Sequence, residues 1–303
     1  MFTDSHCHLN FPELRSQLPQ IRQAMAAAQV TRALCICTTI EEFADVHSLA
    51  TSYDNFWSTV GVHPDNEGIY EPTLDDLVQR SQQPKVVAIG ETGLDYYQME
   101  ERKGGRTVLD MEWQRERFRT HIRAAQVTGL PLVIHTRNAS DDTLAILREE
   151  MAHAAPGVHS SGQGARSGGG SGGGPDLQSG AKEGATVAKS SAVTGVFHCF
   201  TENMAVARAA LDLGFYISFS GILTFKAAAE LREVAAFVPL ERCLIETDSP
   251  YLAPMPYRGK TNNPSYVPFV AQQLASLKGL DVESIAAATS ANFDHLFKRA
   301  LVA

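Results

Sequence analysis

Val86-Val87-Ala88-Ile89-Gly90-Glu91 is a run of five apolar residues ending on a carboxylate. Five such residues suit a strand buried on both faces, as strands of helix-covered parallel sheets are. The carboxylate must be compensated where it stands, and a cation does that best. The same pattern recurs along the chain. Strands are expected at Phe2 to Asp4, Ala33 to Thr39, Trp57 to Val62, Val86 to Gly90, Leu132 to His135, Gly195 to Phe200, Phe215 to Ser220 and Cys243 to Thr247. Helical patterns separate them, among them Gln17 to Gln29, Glu41 to Tyr53, Trp113 to Thr128, Asp141 to Met151, Met204 to Leu213, Ala227 to Ala236 and Pro268 to Leu277.

Strict alternation implies parallel strands joined by right-handed crossovers. Eight of them can close into a TIM-type (β/α)8 barrel, and an open doubly wound sheet is the alternative. The polar residues decide between the two. His6 and His8 fall just after the first strand, His63 after the third, Glu91 after the fourth, His135 at the end of the fifth, His198 within the sixth and Asp248 after the eighth. In a barrel these C-terminal strand ends share one mouth, whereas an open sheet would spread them out.

The 303 residues fit one such barrel of roughly 250 residues with additions, so a single domain spanning 1–303 is expected. The surplus is visible at about 154–192, a Gly/Ser-rich stretch almost free of large apolar residues. It cannot bury enough surface to offset the entropy of ordering, and a disordered insertion on the face away from the mouth is expected. No apolar run reaches the roughly 18 residues of a membrane span, and the N-terminal residues lack a basic and apolar leader. The expected location is therefore cytoplasmic, in keeping with five cysteines without a C-x-x-C pair. A net charge of −8 argues against an extended grip on a nucleic-acid backbone. An enzyme working on a chain end needs only a few phosphate contacts, so nucleic acid stays open as a substrate. Nothing marks an obligate protein partner.

Residues two apart on an extended segment point the same way, so His6 and His8 can share one cation. Asp4 is placed to orient one of the two rings. Glu91, His135, His198 and Asp248 each interrupt or end an apolar run, where a satisfied polar residue is the plain alternative for any one alone. Together, four histidines and two carboxylates make a nitrogen and oxygen donor set suited to Zn, Mn, Co, Ni or Mg. Six donors exceed one tetrahedral site and suggest two divalent ions sharing a carboxylate, a centre for activating water. No phosphate-binding loop, dinucleotide fingerprint or nucleophile elbow competes with hydrolysis.

TDSHCHL (3–9), GVHP (61–64), IGETGLDYY (89–97), PLVIHTR (131–137), GVFHCF (195–200), GFYISFSG (214–221), ETDSPYLAP (246–254) and YRGKTNNP (257–264) resemble the TatD family of metal-dependent deoxyribonucleases, in the amidohydrolase superfamily. The resemblance covers nearly the whole chain and fails at the Gly/Ser stretch and near Lys103 to Thr107. It implies cleavage of DNA phosphodiesters, as an exonuclease, by two-metal activation of water. His6, His8 and Asp248 would hold one ion, His135 and His198 the other, with Glu91 between them and Asp248 also acting on the attacking water. His63 and Arg137 become candidates for the scissile phosphate, and Arg258, Lys260 and Asn262 for a DNA terminus. Cys7 and Cys199, beside ligands, are expected to be buried inert thiols. The alternatives are a hydrolase of an amide, lactone or aminoacyl ester, and a non-catalytic metal-dependent binding module.

Overall fold

The computed structural model of the protein describes residues 1–99, 105–154 and 193–301. The stretch expected to be disordered falls, from 155 on, outside the described residues. Eight strands form one sheet: β1 (Phe2–Cys7), β2 (Val30–Cys35), β3 (Phe56–Val60), β4 (Val86–Asp95), β5 (Leu132–Arg137), β6 (Gly195–Phe197), β7 (Tyr216–Phe219) and β8 (Cys243–Ile245). They lie in sequence order, every neighbouring pair parallel. The two ends of the sheet meet. The Asp248 N–H donates to the His6 carbonyl and the His8 N–H to the Ser249 carbonyl, both at 2.9 Å. The sheet thus curls into a TIM-type barrel, which excludes the open doubly wound alternative, where β1 and β8 could not touch.

The helices are α1 (Pro12–Arg15), α2 (Leu18–Ala27), α3 (Phe43–Thr51), α4 (Leu74–Ser81), α5 (Glu112–Thr128), α6 (Ser140–Ala154), α7 (Met204–Asp212), α8 (Ala229–Phe237), α9 (Val267–Lys278) and α10 (Val282–Leu296). None among the described residues is long and apolar enough to cross a membrane. Three go beyond the segments read from sequence: α1, α4 and α10. The last two open on caps. Thr73 and Asp76 exchange side-chain and backbone hydrogen bonds at α4, and the Asp281 carboxylate accepts from the Ser284 N–H at α10. Strand ends shift as well. β4 runs on through Asp95, so Glu91 lies inside a strand, and His6 likewise lies within β1.

Alternation along each strand divides the core in two. Leu34, Trp57, Val87, Val133, Val196, Tyr216 and Leu244 fill the barrel interior near the N-terminal strand ends, stoppered by Phe293, Leu296 and Phe297 at the end of α10. Cys35, Val60, Ile89, Ile134, Phe197, Ile217 and Ile245 face the helices. The period of two then carries the inner face forward toward the other end. From Trp57 it leads to His63, from Val133 to His135, from Val196 to His198, and from Leu244 to Glu246 and Asp248.

Candidate metal centre

Glu91 stands in the middle of the mouth, 2% exposed. Its Oε2 lies 3.3 Å from His6 Nε2 and 4.0 Å from His8 Nε2. Its Oε1 lies 2.7 Å from His198 Nε2, 3.3 Å from His63 Nε2 and 3.4 Å from His135 Nδ1. Asp248 Oδ1 is 3.6 Å from His6 Nε2 and 3.5 Å from His8 Nε2. All six residues singled out as donors therefore meet at one place. The carboxylate of Glu91 divides them, one oxygen toward His6 and His8 and the other toward the β3, β5 and β6 histidines.

These spacings fit a cation. Ligand bonds of ~2.1 Å in a tetrahedral shell set donor atoms ~3.4 Å apart. His6 Nε2 and His8 Nε2 are 3.3 Å apart, and both stand near Asp248 at matching range. His198 Nε2 is buried 2.7 Å from Glu91 Oε1, yet makes no well-formed hydrogen bond with any described residue. His6, His8 and Asp248 form one group of mutually close donors, and His63, Glu91 and His135 another. His198 joins neither. It stacks on the His6 ring, with centroids 3.8 Å apart, and groups with His6 and Glu246 instead. His63 thus enters the centre beside Glu91, closer to the donors than a phosphate-binding role alone requires.

The electrostatics follow from the crowding. Burial alone would raise the Glu91 carboxyl, but His198, His63 and His6 outweigh it and hold the group well below its usual range. Burial would likewise lower His198, and the carboxylates of Glu91 and Glu246 instead hold it well above. Cys199 is pushed well above an ordinary thiol, first by burial and then by Asp248 and Glu246. Cys7 is fully buried as expected, whereas Cys199 is only half-buried and lines the cavity above the centre.

Two carboxylates escaped the reading of the sequence. Asp95 Oδ2 lies 3.0 Å from His135 Nε2 and 2.7 Å from Arg137 Nη2. Glu246 Oε1 accepts from the Cys199 N–H at 2.6 Å and stands 3.4 Å from His198 Nδ1. Each faces the far nitrogen of a central histidine, the placement that fixes a ring's tautomer and direction. Asp4, expected in that role, touches neither ring. It accepts from the His6 N–H and from the N–H and hydroxyl of Thr247, tying β1 to the chain after β8. Burial pushes its carboxyl up to about 8.

A cavity of about 580 Å³ opens above the centre. His63 and Arg137 line it; Arg258 and Lys260 do not, being exposed on the loop beyond Tyr251. Arg258 lies over the Phe225 ring at 4.3 Å and Lys260 over Tyr257 at 5.6 Å. Asn262 is not free to grip a DNA terminus. It is fully buried, its amide donating to the carbonyls of Thr247 and Tyr251 at 2.8 and 2.6 Å.

The sequence pattern described as TatD-related DNase matches residues 3–167 and 176–298. The metal-dependent hydrolase YcfH of Escherichia coli is 40% identical over 298 residues, spanning 97% of this chain and 94% of that protein. The 3'-5' ssDNA/RNA exonuclease TatD of Salmonella typhimurium is 30% identical over 278 residues, 90% of this chain and 89% of its own length. Among solved structures, the TatD homologue YjjV of Escherichia coli superposes with a TM-score of 0.77 at 25% identity, over 98% of both chains. The chain belongs to the TatD family of metal-dependent hydrolases.

Proposed function

We propose that this hydrolase cleaves phosphodiester bonds at the ends of DNA strands, using two divalent cations of the Mg, Mn, Zn, Co or Ni kind. The observation that carries the reading is the division of the Glu91 carboxylate between two sets of histidines. His6, His8 and Asp248 would hold one ion and His135 and His198 the other, with Glu91 reaching both. Bound there, a cation pair supplies Lewis acidity to a phosphoryl oxygen and lowers the pKa of water.

The chain's own groups supply the rest. Asp248 is ionised, since the hydrogen bond from His8 and the surrounding histidines outweigh its burial, and it faces the cavity. It accepts a proton from the water that attacks phosphorus, as the bond to the leaving sugar oxygen breaks. Arg137 spends one nitrogen on Asp95 and, 43% exposed and lining the cavity, would donate to a non-bridging phosphate oxygen. His63 lines the same cavity, its Nε2 3.3 Å from Glu91 Oε1, and would meet the phosphate beside the centre. Arg258 and Lys260, outside the cavity, would meet flanking phosphates, which suits a few contacts near an end rather than a long grip. The Salmonella relative's name, an exonuclease of single-stranded nucleic acid, supports a nucleic-acid substrate.

The test is digestion of end-labelled single-stranded and duplex DNA by metal-stripped protein, with Mg, Mn, Co or Zn restored and Asp248→Ala as control. Metal-dependent loss of terminal nucleotides, absent in the variant, is the expected result. No cleavage by protein carrying two equivalents of metal would favour hydrolysis of an amide, lactone or aminoacyl ester.

A further inference from the structure

Two aromatic side chains at the mouth have no part in the chemistry above. Phe11 follows His8 by three residues, and its N–H donates to the His8 carbonyl at 3.1 Å. Tyr251 follows Asp248 by three, and its N–H donates to the Asp248 carbonyl at 3.0 Å. The ends of β1 and β8, neighbours across the barrel closure, thus each carry a residue of the His6, His8, Asp248 group and then, one turn later, an aromatic ring. Phe11 lies parallel to the His8 ring, centroids 4.8 Å apart and planes at 18°. Tyr251 meets Phe11 edge-on at 6.3 Å. Both rings line the cavity, and Tyr251 is 54% exposed where Pro250 and Ala253 beside it are buried.

The cavity is therefore two-sided. Past His8 and Asp248, its lining on the β1 and β8 side is Phe11, Tyr251 and Leu252, with Ile222 from the turn after β7, while the β3 and β5 side presents Asn66, Thr136 and Arg137. Tyr97, just past the end of β4, already has the Arg137 guanidinium over its ring at 4.3 Å, whereas Tyr251 is 54% exposed and, among the described residues, has no cation over its ring. A phosphodiester seated over the donor cluster has a nucleoside on each side. The polar wall suits phosphate and sugar, and an open tyrosine face suits a nucleobase, since every base has a π-face to stack.

We propose that Tyr251, backed by Phe11, is a stacking platform for the unpaired base next to the scissile phosphodiester. This rests on the phosphodiesterase reading and adds to it the residue that meets the base at the digested end. A paired base would first have to leave its stack, which costs energy that an unpaired base does not spend.

The test is a cycle between Tyr251 and the base. Single strands with an intact or abasic nucleotide at one end, then at the other, are digested by the metal-loaded wild type, Tyr251→Leu and Tyr251→Phe. For the wild type, removing the base at the digested end should lower kcat/KM about tenfold, mainly through KM. In Tyr251→Leu that ratio should fall close to one, and in Tyr251→Phe it should stay. Terminal 2-aminopurine, whose fluorescence drops on stacking, should be quenched on binding to Asp248→Asn protein and not to the same protein carrying Tyr251→Leu. A base dependence equal in wild type and Tyr251→Leu, in folded protein of equal metal content, overturns the platform while leaving the nuclease reading standing. Absence of cleavage of any strand by the wild type overturns both.

Discussion

Asp95 Oδ2 stands 3.0 Å from Nε2 of His135, on the edge of the ring that faces away from Glu91, while Nδ1 faces Glu91 at 3.4 Å. Burial alone would raise the Asp95 carboxyl, but hydrogen bonds from His135 and Arg137 hold it at about 2. An ionised Asp95 draws the proton of His135 onto Nε2 and leaves Nδ1 as a lone pair aimed at the centre. Asp95→Asn removes that bias, and metal affinity at the His135 position should fall by about 10- to 100-fold with the fold retained. Competition with a chelator measures it. Unchanged affinity would mean that Asp95 serves Arg137 and the Tyr97 N–H rather than the ring.

How far the sequence carried can be judged from single residues. His135, His198 and Asp248 were legible because each breaks an apolar run, and the strand period then places them on the inner face. Asp95 was not, because it lies past the expected end of its strand. Local register shifts between Ile89 and Thr92 carry β4 on beside β5 to Asp95, and no apolar run announces that extension. Glu246 was masked by its neighbour Asp248, and nothing local to LIETDSP says which carboxylate meets His198 Nδ1. Asn262 was misassigned because a polar residue in a Gly- and Pro-rich loop usually faces water. Here two carbonyls, of Thr247 and Tyr251, draw its amide inward.

The extension of β4 also exposes a steric constraint. Gly93 has φ +129, and a Cβ built there would lie 2.0 Å from the His135 carbonyl oxygen. The close approach of β4 to β5 at the centre therefore depends on the absence of a side chain. Gly93→Ala should destabilise the protein by about 3 kcal/mol, from backbone displacement and an unfavourable φ together. Urea denaturation provides the measurement. Wild-type stability in the variant would show that the strands can part without cost.

Glu91 makes the strongest demand on the two-ion reading, because one of its oxygens faces His6 and His8 and the other faces His63, His135 and His198. Glu91→Ala should leave the barrel folded, since its carboxylate faces the histidines of the mouth while two separate apolar layers hold the strands and helices together. Loss of a shared carboxylate should remove several kcal/mol of transition-state stabilisation, a fall in activity of about a thousandfold. Metal content should drop below two equivalents per chain. A folded variant that still binds two ions and turns over would eliminate the bridging role.

Away from the reacting groups, His121 of α5 makes stability depend on pH. Its Nε2 accepts from the Val62 N–H at 3.0 Å, and its Nδ1 donates to the Arg117 carbonyl at 2.8 Å, an arrangement only the neutral ring can make. Burial, more than the nearby Arg117 charge, lowers the ring from 6.5 to about 4. Because the folded value lies below the unfolded one, protons bind the unfolded chain more tightly. The stabilisation is fully present above pH 6.5 and is lost as pH falls toward 4, amounting to about 3 kcal/mol. His121→Gln keeps an acceptor and a donor without the titration. Urea unfolding of both proteins across that window should show the variant's stability falling less steeply with acid, by close to one proton. Comparison at equal pH cancels the contribution of the central histidines, which both proteins share. Parallel curves would assign the acid sensitivity elsewhere.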